Sequence, residues 1–300
     1  MRFVILAFLA ISNFAMVHSA ENSPYAEEIK TWRTKREQRL RTDNGWLTLA
    51  GRYPLKEGES TFGSGKGNDI VFPAALEGIG PPLLGTLNVN REEKRVTLKL
   101  ADGVTMISDD KPFTGERVMG TSPEKRDWVS LDRLSLHIIE RQGKYLLRLA
   151  DNESALRKDF PGCAWYAPDE AYRITAKFVP YPEEKTLSIV NIIDEVSKQP
   201  CPGYAEFELR GETHRLDAIK DGEGLFFVFR DGTAGDTTYQ PARFLDIDEQ
   251  PKPDETFTFD FNKAYNPPCA FSEYTTCPLP PKQNILKTRI EAGEKFRKKG

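Results

Sequence analysis

The strongest constraint on the fold is a succession of short β-like segments that begins at Gly45. Most alternate apolar and polar side chains over about four to eight residues, and Gly, Asn, Asp and Pro separate them. In the first half of the chain they are WLTLAG, STFG, DIVFP, GTLNVN, RVTLKL, VTMIS, LSLHIIER and KYLLRLAD. The intervals between them are too short for crossover helices. The pattern therefore predicts a mainly β protein built of sandwich or barrel units.

A second set of strands follows a junction at 154–166, where turn-forming residues mix with aromatic ones. Its segments are YRITAKFVPY, KTLSIVNII, AEFELRG, THRLDAIK, GLFFVFRD, RFLDI and TFTFDFN. The chain thus divides into an all-β domain over 45–153 and a β-rich domain over 154–300, and we expect a short helix near the C-terminus.

Residues 21–44 form the predicted N-terminal helix. Ser23 and Pro24 suit the N-cap and the first helical position, and Asn44-Gly45 suits a left-handed stop. We expect the helix over about Pro24–Thr42.

Residues 1–20 have the pattern of a secretory signal peptide. Arg2 precedes an apolar run from Phe3 to Met16, and the small residues Ser19-Ala20 follow at the cleavage point. The run is shorter than the roughly 18 residues of a membrane span, and no other stretch approaches that length. We therefore expect an exported protein, periplasmic or extracellular, with no transmembrane segment after cleavage.

The charge distribution argues against a nucleic-acid partner. The formal net charge is −3, and acidic and basic residues are interspersed without long blocks of one sign. The glycine-rich stretch at 62–69, FGSGKGND, matches no phosphate-binding motif and precedes a strand, so it predicts a hairpin turn. No cofactor is predicted.

Four cysteines, Cys163, Cys201, Cys269 and Cys277, follow the predicted signal peptide. In an oxidising compartment an even number favours pairing, and Cys269 with Cys277 would close a short, proline-flanked loop. We predict that disulfide and leave open whether Cys163 and Cys201 pair. Their spacing is unlike that of zinc ligands, and no metal site is predicted from them.

The first group of candidate ligand-binding residues follows the strand at 224–229, whose two apolar faces indicate a central, covered strand. The group consists of Asp231, Thr233, Asp236, Tyr239 and Arg243. Loops that follow rigid strands often carry binding residues. Two alternatives stay open: Asp231 and Thr233 could only cap the turn, or the Asp231–Asp236 turn could bind calcium.

The second group comes from the last predicted strand. Alternation places the phenylalanines at 257, 259 and 261 on the core face and the polar residues on the other. The candidates are Asp260, Asn262, Lys263, Tyr265 and Asn266. They could bind a ligand, or Tyr265 and Asn266 could fasten the proline-rich segment that follows.

Two functions fit these groups. The first is a cell-envelope protein that binds a small molecule, glycan or peptide between the two groups. The second is a hydrolase in which Asp260 works with Asp231, Asp236 or Glu294 as an acid and base pair. A serine or cysteine triad is disfavoured, because no GxSxG motif is present and His137 and His214 lie in strand-like segments.

Two family resemblances add to this interpretation. The order of elements from FGSGKGNDIVFP onward loosely resembles forkhead-associated sandwich domains, without their phosphothreonine-binding Arg and Ser…His residues. More specifically, FDFNKAYNPPCAFSEYTTCPLPPKQNILKTRIEAGEK, FRDGTAGDTTYQPARFL and GWLTLAGRYPLKEGESTFGSGKGNDIVFP resemble the bacterial domain-of-unknown-function family 1684, over about Trp32 to Lys295. This second resemblance implies an exported or envelope-associated protein with a β-rich C-terminal domain. It brings no established substrate or catalytic residue.

Overall fold

A computed structural model of the chain describes residues 23–122 and 126–297. The expected signal peptide lies outside the described residues. The chain forms two compact units. The N-terminal β unit comprises Arg39–Pro161 with Phe271–Thr275, and the C-terminal β unit is the described part of Met1–Gln38, Gly162–Ala270 and Thr276–Gly300. Each unit is therefore discontinuous in sequence. Most of the N-terminal helix belongs to the C-terminal β unit, and the short segment Phe271–Thr275 belongs to the N-terminal β unit.

Helix α1 spans Pro24–Leu40, close to its predicted bounds. The Ser23 hydroxyl accepts a hydrogen bond from the Ala26 amide at 3.1 Å, which satisfies one of the amides that a helix start leaves without an intrahelical partner. Asn44, with φ of +58°, supplies the left-handed conformation that the sequence predicts just after the helix.

The N-terminal β unit is a sandwich of two open sheets. Its strands are β1 (Leu49–Pro54), β2 (Gly58–Gly63), β3 (Ile70–Val71), β4 (Gly85–Asn90), β5 (Arg95–Leu100), β6 (Met106–Ser108), β7 (Lys111–Phe113), β8 (Glu116–Met119), β9 (Val129–Leu131), β10 (Leu134–Arg141) and β11 (Lys144–Asp151). One sheet has the order β1-β11-β10-β9-β6-β7 and the other β3-β2-β4-β5-β8. One apolar core takes residues from both sheets, including Leu87 and Leu98 from one and Leu136 and Leu147 from the other.

Two local predictions in this unit were incomplete or wrong. The short strands β7, β8 and β9 were not predicted. The glycine-rich stretch at 62–69 is not a hairpin, because the strands on either side of it, β2 and β3, pair in parallel, Phe62 with Ile70. The connection between the two strands is the stretch 64–69, which contains no helix.

The C-terminal β unit contains three sheets. Its strands are β12 (Ala164–Trp165), β13 (Arg173–Val190), β14 (Val196–Leu209), β15 (Glu212–Asp217), β16 (Ile219–Asp221), β17 (Gly224–Phe229), β18 (Arg243–Ile247), β19 (Thr256–Asp260) and β20 (Glu294–Lys295). The sheet orders are β15-β14-β13-β19, β16-β17-β18 and β12-β20. Over the residues that the structure describes, the molecule is therefore mainly β, as predicted, and its sheets do not close into a barrel.

The core of this unit confirms the two apolar strand predictions. Strand β17 is the central strand of its sheet, with Phe227 in one apolar cluster and Val228 in another. Phe259 and Phe261 are fully buried beside Phe207 and Phe227, and Phe257 packs against the same cluster. The alternation of β19 thus places its aromatic side chains inside.

The short helix lies elsewhere than predicted. Helix α2 is Ala155–Lys158, capped by the Ser154 side chain, which accepts from the Arg157 amide. The described C-terminal region holds a 3-10 turn at Lys282–Asn284 and strand β20 instead of an α-helix. None of the helices in 23–122 and 126–297 is long and apolar enough to span a bilayer.

Candidate functional site

The first predicted group folds into a closed network around Asp231. Its carboxylate forms an ion pair with Arg243 and accepts from the Thr233 hydroxyl at 2.7 Å and the Ile290 amide at 3.1 Å. Arg243 also donates to the Ala292 and Ile290 carbonyls, at 2.6 and 3.0 Å. The ion pair is buried, with both side chains 1% exposed. Asp231, Thr233 and Arg243 therefore hold the end of β17, the start of β18 and the 290–292 segment together.

The other two members of that group face different surroundings. Asp236 is exposed and pairs with Arg289 at 2.8 Å. The Tyr239 hydroxyl donates to the Cys269 carbonyl at 3.1 Å, and burial first, then the nearby Cys269, raise the pKa of Tyr239. The five residues do not converge on one site.

Asp260 and Asn262 form a second buried network, with Tyr25 of α1. The Tyr25 hydroxyl lies 3.0 and 3.1 Å from the two Asp260 carboxylate oxygens. Asp260 also accepts from the Asn262 amide at 2.9 Å and its side-chain nitrogen at 3.0 Å. Burial and the charge of Asp260 raise the pKa of Tyr25, so the phenol remains a donor at neutral pH. The Asn262 side-chain oxygen accepts from the Asp169 amide, and its side-chain nitrogen donates to the Asp169 carbonyl.

The predicted strand geometry therefore needs correction at this point. β19 ends at Asp260, and a 3-10 turn over Phe261–Lys263 follows. The turn brings Asn262 back onto Asp260 instead of placing the two side chains about 7 Å apart along an open face. Sequence alternation does not reveal this because it assumes that the strand continues.

The last three candidates also have structural partners. Lys263 donates to Glu28 at 2.7 Å, and the Tyr265 hydroxyl donates to Asp246 at 2.8 Å. Asn266 donates from its amide and its side chain to Glu294, 3.0 Å each. Its carbonyl accepts from Arg36 at 2.9 Å. This bonding agrees with the alternative in which Tyr265 and Asn266 fasten the chain.

The arrangement disfavours the acid and base pair. Asp260, Asp231 and Glu294 are all buried, and each lies in a hydrogen-bond network of its own. It also disfavours calcium at the Asp231–Asp236 turn, because each of these carboxylates has an arginine partner. Within the described ranges, no group of three or more His, Cys, Asp and Glu residues is arranged to hold a metal ion.

All four cysteines are thiols in this structure, so the predicted Cys269–Cys277 disulfide is not formed. The two residues are nevertheless in contact, since the Cys269 amide donates to the Cys277 sulfur at 3.1 Å. A hydrogen bond with Cys277, and then burial, raise the pKa of Cys269. Cys163 and Cys201 have different neighbours: Cys163 lies beside Glu294 and Cys201 packs with the Cys277 cluster.

A polar group that the sequence did not indicate lies beside the second apolar cluster of the C-terminal β unit, against which Tyr181 packs. We call it the tyrosine site and define it as Tyr181, Lys185, Tyr204, Asp217 and Gln283. Asp217 accepts from the Tyr181 hydroxyl at 2.7 Å, Lys185 at 2.9 Å and Gln283 at 2.8 Å. Its side chain is 5% exposed, whereas that of Lys185 is 37% exposed. The buried carboxylate thus fixes three donors near the surface.

Aromatic rings and paired charges surround this carboxylate. The Tyr181 and Tyr204 rings are 5.5 Å apart, and Lys185 Nζ lies 3.9 Å from the Tyr181 ring centroid. Arg215 lies 5.1 Å from the Tyr204 ring and pairs with Glu206 at 2.8 Å. Although burial opposes it, the hydrogen bonds with Tyr181 and Asp217 raise the pKa of Lys185. Lys185 therefore stays charged and paired with Asp217 at neutral pH.

Only part of the tyrosine site has a signal in the sequence. Alternation along β13 places Lys177 and Val179 on the face opposite Phe178. The pairing of Tyr204 with Asp217 depends on the β14–β15 register, which no local pattern specifies. Gln283 comes from a separate segment, 66 residues away from Asp217.

Comparison with solved structures finds chains that are similar to this one. An uncharacterized protein from Haloarcula marismortui, determined by solution NMR, is 32% identical in sequence. The similarity covers 46% of this chain and 78% of that one, with a TM-score of 0.40. Among curated proteins, no sequence matches this chain.

A protein-family model matches residues 158–295, the region that holds the C-terminal signature and the Asp231–Arg243 loop. The matched range does not reach the segments from Trp32 to Pro73, for which the sequence suggested the same family. Through residues 158–295, this chain belongs to the family described as protein of unknown function DUF1684.

Proposed function

We propose that this protein is a non-catalytic binding protein for a neutral glycan, which it holds at the tyrosine site. The observation that supports this function is the pair of half-buried tyrosines beside fixed polar groups. A tyrosine offers an apolar ring together with a hydroxyl, which suits the mixed apolar and polar faces of a sugar. Lysine, glutamine and carboxylate groups add donors and acceptors for sugar hydroxyls.

The charge balance favours a neutral ligand over an ionic one. Lys185 pairs with Asp217 and Arg215 pairs with Glu206, so the surface carries two compensated pairs. An anion or cation would have to displace a partner that is already in place, whereas a hydroxyl can use the hydrogen-bonding capacity that remains. The binding region proposed from the sequence is replaced by this one, since most of those residues are occupied in buried networks.

A calorimetric titration of the full chain with a panel of neutral oligosaccharides tests the proposal. We expect at least one sugar to bind, and Tyr181→Ala and Tyr204→Ala each to weaken binding about tenfold or more. Tyr274→Ala, at a half-buried tyrosine of the N-terminal β unit, is the matched control and should bind normally. The proposal fails if no sugar binds, or if all three variants weaken binding equally.

We also propose that the protein is exported and that oxidation then joins Cys269 and Cys277. The apolar N-terminal run and the contact between the two sulfur-bearing residues support this. The short loop that the bond would close gives about 2–3 kcal/mol in the chain-entropy model.

Thiol titration under denaturing conditions tests this second proposal on protein isolated from the secreted or periplasmic fraction of its source. We expect two free thiols per chain, and mass spectrometry should place the crosslink between the peptides that contain Cys269 and Cys277. Four free thiols in that fraction would contradict the pairing, and an intact N-terminus in cell extracts would contradict the export.

A further inference from the structure

One face of the β1-β11-β10 sheet carries an unusual concentration of positive charge. His137 of β10 is the cross-strand partner of Arg148 in β11, and Arg148 is in turn the partner of Arg52 in β1. Directly paired residues project from the same face of an antiparallel sheet. The neighbouring positions Leu136 and Leu147 face the apolar core. His137, Arg148 and Arg52 therefore lie on the opposite face.

His137 is buried in this face, and the hydrogen-bonding capacity of its ring is not satisfied within the described residues. Its side chain is 1% exposed, and its ring packs on Trp128 with 3.9 Å between centroids. Neither ring nitrogen has a hydrogen-bond partner within the described residues. A buried polar group without a partner costs free energy, so such groups in native proteins usually mark a water, an ion or a ligand.

Arg148, the cross-strand partner of the histidine, is accompanied by two further arginines, Arg126 and Arg141. Arg126 and Arg148 each lie 5.5 Å from the Trp46 ring centroid. No carboxylate forms an ion pair with Arg126 or Arg141 in the described part of the chain. Burial, and then the charges of Arg148, Arg126 and Arg141, lower the pKa of His137 to about 3.

The arginines also affect one another. Partial burial, and then the charge of Arg141, lower the pKa of Arg126. Arg141 lies four residues beyond His137 on β10, so the two side chains project from the same face of the sheet. Arg126 is exposed and Arg141 is half-buried, whereas His137 is buried. The cluster therefore extends from the surface inward to the histidine.

We propose that Arg126, Arg141 and His137 bind a small oxyanion, a phosphate or carboxylate group, beside the Trp46 and Trp128 rings. Guanidinium groups match such anions through paired N–H donors. A bound anion would offset the repulsion among the arginines and would give the histidine a hydrogen-bond acceptor once its ring is protonated. This site belongs to the N-terminal β unit and does not depend on the proposed glycan function.

NMR of the His137 ring in the full chain tests the proposal, with chloride, acetate or inorganic phosphate at matched ionic strength. We expect acetate, phosphate or both to raise the pKa of His137 from about 3 toward its ordinary value, with saturation as the anion is added. Chloride should leave it low. A pKa that is the same in all three salts would overturn the proposal.

Arginine variants separate specific binding from general charge effects. Arg126→Gln and Arg141→Gln should each weaken binding of the active anion about tenfold, measured by calorimetry. Arg95→Gln, at an exposed arginine on the other sheet of the same unit, is the matched control and should bind normally. Equal weakening in all three variants would mean that the anion only screens net charge, and the proposal would fall. Circular dichroism of each variant establishes that it is folded.

Discussion

At the residue scale, burial decides what each aspartate of the Asp231–Arg243 loop contributes. Asp231 and Asp236 are five residues apart, and each pairs with an arginine. The first pair is 1% exposed on both sides, whereas Asp236 is 61% exposed. Removing one partner of a buried pair leaves an uncompensated charge, whereas solvent screens the exposed pair.

Asp231→Ala should therefore lower the free energy of unfolding by about 3–5 kcal/mol. Arg243 would lose its counter-charge, and Thr233 and Ile290 would lose an acceptor. Urea unfolding followed by circular dichroism measures the loss. Asp236→Ala is the control and should change stability little. Equal effects of the two substitutions would show that the buried network does not stabilise the fold.

Most of the candidate residues predicted from the sequence take part in buried hydrogen-bond networks of the fold. Asp, Asn, Thr and Arg satisfy buried backbone groups with the same atoms that bind ligands. Asn262 shows this, since its side-chain amide bonds Tyr25, Asp260 and Asp169 together. No local pattern separates the two uses, because the partners come from elements far away in sequence.

At the element scale, β19 shows how far alternation can be used. Alternation predicted that the three phenylalanines of the FTFDF segment face the core, and the structure confirms this. Phe259 contacts Phe207, Phe227 and Phe261, with ring centroids 5.5, 4.9 and 5.1 Å apart. This strand is thus the centre of an aromatic cluster.

Phe259→Ala should cost about 3–5 kcal/mol of stability, because it leaves a cavity among rings that cannot close over it. Phe257→Ala is the matched control on the same strand. Phe257 is only partly buried, so its removal should cost clearly less. Thermal and urea unfolding compare the two. A larger loss from Phe257→Ala would contradict the assignment of Phe259 as the centre of the cluster.

Strand length is less predictable than strand face. The sequence indicated two segments, YRITAKFVPY and KTLSIVNII, where the structure has the single strand β13 of 18 residues. Its register with β14 shifts between Pro180 and Lys185, which accounts for the apparent break. Pairing to a long partner can carry a strand through prolines and charges that locally suggest a turn.

At the scale of the whole molecule, two buried groups, one in each unit, respond to pH in opposite directions. His137, in the N-terminal β unit, has a lowered pKa, so the unfolded chain binds the proton more tightly. Burial raises the pKa of Glu294 in the C-terminal β unit, so there the folded chain binds the proton more tightly. The histidine therefore costs stability as pH falls, and the glutamate costs stability as pH rises above its ordinary pKa.

The contribution of His137 to the free energy of unfolding depends on pH between its unfolded and folded pKa values. The contribution is fully present above about pH 6.5 and is lost as pH falls toward about 3, at about 1.4 kcal/mol per pH unit. His137→Leu should flatten this dependence, measured by thermal unfolding in amine chloride buffers without oxyanions. His214→Leu is the control and should keep it. An unchanged pH dependence in His137→Leu would show that the histidine does not titrate as inferred.

The sequence by itself determined the β class, the N-terminal helix, many strand positions and the family, because alternation, caps and signature residues are local properties. Only the tertiary structure decided which polar residues meet. Tyr25 reaches Asp260 across 235 positions, and Asp217 binds Tyr181 and Lys185 of β13 and Gln283 of the 282–284 turn. The physical reason is that hydrogen bonds and charges act over a few ångströms in space, whereas sequence patterns record only neighbours along the chain.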